Sequence, residues 1–265
     1  MNRLTLLKRM LLPSKQRSDA MRVDFVVKRP GWMTENIREP AFAPPLCPEW
    51  RQIEKQAAKT EALGAKPLWD GYKTVVNYPR ATSDSQRSSD QVRSTARAGI
   101  FFAWLASRRS ANLIVEFGTA FGVSGMYWLA GLKQNQSGRL LTFEPNPVWA
   151  EIARHNLAQI SNQFELTVGT FEEHIDAKLG PFRRIDIAFV DAIHTGDFVR
   201  QQFDLLAPRM QAGGLILVDD VNFSPDMATC WQSLARDPRA HASITLDGRI
   251  GLVELAGHRR ERAGA

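Results

Sequence analysis

The chain has 265 residues and a formal net charge of +6, and its apolar fraction of 44% is normal for a globular protein. No stretch reaches the roughly 18 apolar residues that a membrane span requires, and residues 1–12 lack the apolar run and cleavage site of a secretory signal. The two cysteines, Cys47 and Cys230, indicate neither a disulfide framework nor a zinc cluster. We therefore expect a cytoplasmic globular protein.

Positive charge is concentrated at the N-terminus, where residues 1–30 hold eight Lys/Arg and two Asp. Such an arm is either a solvated leader or a contact surface for RNA, anionic lipid or an acidic partner. Prolines between residues 40 and 48 break any long helix, although 54–63 has the composition of a short one. We predict that residues 1–89 form a basic arm and a substrate-side extension. Trp69, Tyr72 and Tyr78 are its candidate aromatic walls.

A regular alternation of strands and helices begins at residue 90, where Ser89 or Asp90 is a good N-cap for a helix over 91–107. Strands are predicted over 112–117, 139–143, 164–168, 185–190, 215–218, 241–246 and 250–255. Further helices are predicted over 123–132, 147–159, 171–179, 197–206 and 225–235. The pair Asp247-Gly248 indicates a hairpin between the last two strands.

This order predicts a doubly wound, Rossmann-like α/β fold. The sheet should be mostly parallel and seven-stranded, with a terminal antiparallel strand and an N-terminal helical or irregular extension. We place the main domain at 90–257 and a disordered tail at 258–265.

The first strand of this domain runs into a glycine-rich loop, V-E-F-G-T-A-F-G-V-S, over 115–124. Gly118 permits a sharp turn, and its missing side chain lets a ligand lie against the backbone. Gly122 stands at the helix entry, where free N–H groups favour a carboxylate, and Ser124 can donate to the same group. Glu116 is a candidate for the ligand's ammonium group. We assign the loop residues Thr119 and Ala120 to the same site.

Glu144 ends the second strand of the domain, in the segment L-L-T-F-E-P-N. A carboxylate at this point accepts hydrogen bonds from ribose hydroxyls. The loop spacing is G-x-x-x-G rather than the G-x-G-x-x-G of dinucleotide sites, which favours an adenosyl ligand over a dinucleotide. Thr170 and Phe171 are candidates for the adenine side.

These motifs resemble motif I, the second motif and the fifth strand (G-G-L-I-L-V-D-D-V) of class I S-adenosylmethionine-dependent methyltransferases. The resemblance is greatest to the catechol and caffeoyl-coenzyme A O-methyltransferases and covers about residues 90–255. It implies S-adenosyl-L-methionine as cofactor, transfer to a hydroxyl of a small molecule, and a homodimer.

Three carboxylates, Asp191, Asp219 and Asp220, follow the fourth and fifth strands, at the sheet edge where α/β proteins bind ligands. Hard cations such as Mg²⁺ take oxygen ligands, so these acids form a candidate metal site. The resemblance implies the ligand set Asp, Asp and Asn, from which Asp220 departs. The other interpretation is that Asp219 caps a turn and Asp191 orients the cofactor or loop.

His194 follows Asp191 by three residues and stands at the offset of the family's catalytic lysine. With an ordinary pKa near 6.5, a histidine there can take the proton of an acceptor hydroxyl. We therefore predict His194 and Asp191 as catalytic residues. A role in loop packing remains the alternative.

Two other functions are consistent with the sequence. An RNA methyltransferase would use the basic arm, but the N/D-P-P-Y/F motif of base-amine methylation is replaced by D-A-I-H, and the globular part has no basic stripe. A protein that binds the cofactor without catalysis would retain Glu116, Gly118, Gly122 and Glu144. Cofactor binding without a methylated product would indicate this last function.

Overall fold

The computed structural model describes residues 20–71, 85–180 and 184–257. The strands in these ranges are β1 (Met21–Val27), β2 (Ala41–Phe42), β3 (Lys66–Pro67), β4 (Gln86–Arg87), β5 (Leu113–Phe117), β6 (Arg139–Glu144), β7 (Phe164–Val168), β8 (Ile185–Val190), β9 (Met210–Val218), β10 (Ala240–Leu246) and β11 (Ile250–Leu255). The helices are α1 (Trp32–Asn36), α2 (Trp50–Glu61), α3 (Ser89–Val92), α4 (Ala96–Arg108), α5 (Val123–Asn135), α6 (Pro147–Ala158), α7 (Phe171–Leu179), α8 (Gly196–Leu206) and α9 (Pro225–Leu234).

The described strands form one sheet of nine, in the order β2-β1-β10-β11-β9-β8-β5-β6-β7, and β3 pairs with β4 apart from it. Strands β9, β8, β5, β6 and β7 are parallel, and the remaining pairs are antiparallel. The α/β Rossmann-like fold is thus confirmed. The expected count of seven strands is wrong, because the sheet continues through β1 and β2, and the sheet is mixed rather than mostly parallel with one antiparallel strand.

Strand β1 comes from the segment that was expected to be helical or irregular. Its sequence, M-R-V-D-F-V-V, begins with buried Met21 and Val23 alternating with exposed Arg22 and Asp24. This alternation suits a strand with one covered face. β1 pairs with β10, where Val23 lies opposite Leu246. It thereby covers a strand that would otherwise be an open sheet edge.

The parallel half of the sheet is covered on both faces, so its central strands are apolar throughout. All residues of β5 and β8 are buried. On one face Phe102 of α4 stacks on Trp128 of α5, with ring centroids 4.6 Å apart, and Phe102 contacts Phe189 of β8 at 4.8 Å. Parallel strands covered in this way end at one edge of the sheet, where their loops form the candidate site.

The helix expected over 91–107 is interrupted. Ser88 rather than Ser89 or Asp90 caps α3, which ends at Val92, and Arg93 is extended with φ −82° and ψ 150°. Thr95 then caps α4 by accepting a hydrogen bond from the Ala98 N–H at 3.2 Å. The apolar spacing continues across this break, which is why the pattern predicted one helix.

Several expectations are not tested by the structure. The predicted tail, residues 1–19 of the basic arm, and Tyr72 and Tyr78 lie outside the described residues. The domain boundary between residues 89 and 90 remains a prediction, although β1 belongs to the same sheet as the later strands. None of the helices in the described ranges is both long and apolar enough to cross a membrane.

Candidate cofactor and acceptor site

The loop after β5 is shaped by one glycine that no other residue can replace. Gly118 has φ +83°, and a Cβ atom there would lie 2.1 Å from the carbonyl oxygen of Asp191. The loop therefore packs directly on the backbone that follows β8. Gly122, with φ +81°, immediately precedes α5, as predicted for the helix entry.

Glu144 is held at the end of β6 by two backbone donors. Its carboxylate accepts hydrogen bonds from the N–H groups of Ala120 at 2.8 Å and Asn146 at 2.9 Å. Only 5% of the residue is exposed. Burial raises the pKa of Glu144 to about 7, and the two backbone hydrogen bonds offset part of that rise. The carboxylate is thus fixed before any ligand arrives.

Glu116 lies deeper than the sequence suggested. The residue is fully buried in β5, and its carboxylate accepts a hydrogen bond from the Thr142 hydroxyl at 2.8 Å. Thr142 is in turn 2.5 Å from the hydroxyl of Thr119. Burial raises the pKa of Glu116 to about 7. Glu116 supports the loop from behind, and its predicted contact with an ammonium group remains a prediction.

The Glu144 cavity, a space of about 160 Å³, opens beside the ends of β5 and β6. Predicted residues Gly118, Glu144, Thr170 and Phe171 line it together with Trp69. Ile193, Phe198 and Gln202 are among the lining residues that sequence reasoning missed. The side-chain oxygen of Gln202 is buried and finds no hydrogen-bond partner in the part of the chain that the structure describes.

The Ser94 cleft, a small space of about 10 Å³, shares the lining residue Gly118 with this cavity. It is lined on one side by the loop, including Thr119, Ala120 and Ser124, and on the other by Val92, Arg93, Ser94 and Asp191. The hydroxyl of Ser94 is buried and has no hydrogen-bond partner among the described residues. The break between α3 and α4 places Ser94 here, so a prediction of one continuous helix could not find it.

Asp191, Asp219 and Asp220 do meet at the ends of β8 and β9. His194 stands between two of them, with Nε2 3.8 Å from Asp191 Oδ1 and 3.8 Å from Asp220 Oδ2. Burial raises the pKa of Asp191 well above its usual range, and the charges of Asp219 and Asp220 add to the rise. Burial lowers the pKa of His194 although the neighbouring carboxylates oppose it. A neutral imidazole at this place can accept a proton.

An arginine that the sequence analysis did not single out joins this cluster. Arg249 follows the turn between β10 and β11, and its Nη2 and Nε lie 2.8 Å and 3.2 Å from the two carboxylate oxygens of Asp219. Its Nε is also 2.8 Å from Asp220 Oδ1. Burial lowers the pKa of Arg249, but the hydrogen bond to Asp219 and the charges of both carboxylates outweigh it, so the pKa is raised.

The Arg249 cavity, of about 130 Å³, adjoins the Ser94 cleft at Ser94 itself. Its polar walls are Arg97, Asp219, Asp247 and Arg249. Its apolar walls are Met21, Ala98, Leu246 and Ile250. Shared lining residues thus link the three spaces, Gly118 the first two and Ser94 the last two.

Residues 115–221 match the family model described as a methyltransferase domain. This match begins at β5 and ends just after β9, so it contains the loop, Glu144 and the three aspartates. No curated protein sequence matches the chain significantly.

Solved structures share the fold at low sequence identity. The cofactor-bound Rv0187 protein from MTB is 24% identical, with a TM-score of 0.54 over 63% of this chain and 83% of that one. The O-methyltransferase TomG of Streptomyces achromogenes, involved in tomaymycin synthesis and solved with S-adenosylmethionine, is 20% identical, with a TM-score of 0.53 over 79% and 99% of the two chains. A Staphylococcus aureus protein provisionally assigned as a caffeoyl-CoA O-methyltransferase is also 20% identical, with a TM-score of 0.53 over 63% and 87%.

Proposed function

We propose that this chain, a class I S-adenosylmethionine-dependent methyltransferase, methylates a hydroxyl oxygen of a small-molecule acceptor. The observation that carries the proposal is the close packing of Gly118, which lines the Glu144 cavity, on the backbone of Asp191, which belongs to the cluster around His194. The O-methyltransferases with the same fold add to its support.

The residues of the first two spaces fit the cofactor. Glu144 presents a fixed carboxylate to ribose hydroxyls, and the walls around Thr170 and Phe171 suit an adenine. The unpaired hydroxyl of Ser94 and the N-terminal end of α5, with Ser124, suit an amino-acid carboxylate. When bound, S-adenosylmethionine supplies an electrophilic methyl group on a sulfonium sulfur.

His194 is the proposed base. Its Nε2 takes the proton from the acceptor hydroxyl while the oxygen forms its bond to the methyl carbon, and the electron pair of the broken carbon–sulfur bond stays on sulfur. Asp191 and Asp220, each with an oxygen 3.8 Å from Nε2, stabilise the imidazolium that forms by their charge. Positioning and exclusion of water supply the rest of the acceleration.

The divalent cation implied by the resemblance does not fit the acids as they stand. Both oxygens of Asp219 and one of Asp220 already face the Arg249 guanidinium. Among the described residues, no three His, Cys, Asp or Glu side chains converge as metal ligands do. We derive no step through a metal.

Transfer from methyl-labelled S-adenosylmethionine tests the proposal. The acceptor panel contains catechols, simple phenols, hydroxy acids and sugars, with RNA as a separate arm and His155→Ala, an exposed helix position, as the matched control for His194→Ala. We expect label in at least one small hydroxyl compound. Label only in RNA, or binding of S-adenosylhomocysteine with no methylated product, contradicts the proposal.

A further inference from the structure

Arg249 is fixed in place by the hairpin that carries it. Asp247 and Gly248 adopt φ of +53° and +70°, which gives the tight turn between β10 and β11. The carbonyl of Arg249 accepts a hydrogen bond from Val221 N–H at 2.9 Å, and its own N–H donates to Leu246 at 3.0 Å. The hairpin is therefore tied to the segment that follows β9, and the guanidinium is directed at Asp219.

The ion pair is partly removed from water. The Asp219 side chain is 4% exposed and that of Arg249 is 39% exposed. A buried carboxylate needs a counter-charge, and the planar guanidinium satisfies both oxygens of Asp219 at once. Asp220 turns towards the same group with φ +51°, a left-handed conformation that Asp tolerates better than most residues.

The same arginine also faces a ligand-sized space. It lines the Arg249 cavity, which adjoins the Ser94 cleft at the methionine end of the proposed cofactor site. A fixed positive charge beside an oxygen that loses a proton stabilises the developing negative charge. A divalent cation would act in the same way at the same acids.

We propose that Arg249 is the resident cation of the acceptor site: it occupies Asp219 and Asp220, excludes a divalent cation from them, and stabilises the acceptor oxygen as His194 removes its proton. This inference rests on the proposed function of the same site. In the transfer, the oxygen–methyl bond forms, the carbon–sulfur bond breaks with its electron pair on sulfur, and the proton moves to His194. No metal ion enters this balance.

Mn²⁺ binding to the full chain tests the inference without any acceptor. Free Mn²⁺ is followed by electron paramagnetic resonance for wild type and for Arg249→Met, which keeps an unbranched apolar stem and removes the charged guanidinium. We expect no binding by wild type up to about millimolar Mn²⁺, and affinity at least tenfold higher for R249M. Arg209→Met is the matched control, because Arg209 pairs with Asp176 outside the site.

Failure of R249M to bind Mn²⁺ more tightly than wild type, including no binding by either protein, overturns the inference. Mn²⁺ binding by wild type as tight as by R249M overturns the inference, and this outcome does not depend on how the variant folds. If R249M binds Mn²⁺, adding Asp219→Asn to it should abolish the binding; Mn²⁺ retained by the double variant places the ion elsewhere and overturns the assignment.

A chelator provides the second readout on any acceptor that wild type methylates. The initial rate with EDTA should stay within twofold of the untreated rate, and a loss of transfer that Mg²⁺ restores overturns the inference. If no small hydroxyl compound is methylated, the proposed function fails and the stabilisation of an acceptor oxygen fails with it. The Mn²⁺ titration still decides whether Arg249 excludes the cation.

Discussion

The two halves of the candidate site are built by different means. The cofactor half, around the Glu144 cavity and the glycine loop, is set by backbone: a left-handed glycine, a helix start and two N–H groups on one carboxylate. The acceptor half is set by side-chain charges that balance one another across β8, β9 and the last hairpin. A loop set by backbone geometry accepts few substitutions, whereas a cluster of opposite charges can be built from different charged residues in the same arrangement.

The largest expected effect tests the rigidity of the cofactor half. Gly118→Ala adds a Cβ 2.1 Å from a backbone oxygen at φ +83°, so we expect a loss of about 3–4 kcal/mol in unfolding free energy and no measurable S-adenosylhomocysteine binding. Gly64→Ala is the control, since φ is +72° but a Cβ there would have no atom of the described residues within 4 Å; it should cost about 1 kcal/mol. If urea unfolding gave equal losses of unfolding free energy for Gly118→Ala and Gly64→Ala, the close approach of Gly118 to Asp191 would not be the cause of the destabilisation.

A buried acid in the same half predicts a pH dependence of stability. The folded-state pKa of Glu116 is raised from 4.5 to about 7, so its contribution is fully present below pH 4.5 and is lost as the pH rises through about 7. The loss amounts to about 3 kcal/mol at most. Glu116→Gln should remove it, which urea unfolding at pH 4.5 and pH 8 measures.

Glu35→Gln, at an exposed helix position, is the control for this comparison. Its unfolding free energy should equal that of wild type at both pH values. Parallel stability curves for wild type and Glu116→Gln would contradict the prediction.

In the acceptor half, His194→Ala should separate chemistry from cofactor binding. We expect the transfer rate to fall about a hundredfold, because the acceptor loses its base, while S-adenosylhomocysteine affinity changes less than threefold. Calorimetry and labelled transfer provide the two measurements, with His155→Ala as the control. A rate within twofold of wild type would remove His194 as the base.

The smallest effect concerns the ribose contact. Glu144→Gln keeps the shape of the side chain but removes the charged acceptor of the ribose hydroxyls. Its amide N–H₂ also faces one of the two backbone N–H groups that the carboxylate accepts from. S-adenosylhomocysteine affinity should therefore fall about tenfold to thirtyfold. Glu151→Gln, at an exposed position of α6, is the control: calorimetry should show an unchanged affinity for S-adenosylhomocysteine. Equal affinities for both variants would place the ribose elsewhere.

The sequence predicted the cofactor half well because its signals are local. Gly118 and Glu144 each stand at the end of an apolar strand, and parallel strands bring such ends together without further information. β1 escaped prediction because its pairing with β10 spans most of the chain, and a short alternating segment also suits an exposed loop. Ser94 escaped because a helix break leaves the apolar spacing almost unchanged.

Arg249 shows why the acceptor half could not be derived from the sequence. It lies 30 residues from Asp219, and nothing in the turn sequence D-G-R says which acid the arginine will meet. The aspartates alone predicted a metal site, since adjacent oxygen ligands after a strand are what a hard cation requires. Only the fold of the hairpin shows that a protein cation is already there.

The position of β1 has a consequence for how such enzymes diversify. Met21 forms one wall of the Arg249 cavity, yet it belongs to a strand far outside residues 115–221, which carry the family match. Exchange of this N-terminal strand between relatives would remodel the acceptor wall and leave every cofactor contact in place. On the proposed function, the cofactor residues and this wall of the Arg249 cavity belong to separate segments of the chain, and chimeras made at β1 are a direct way to change the acceptor range.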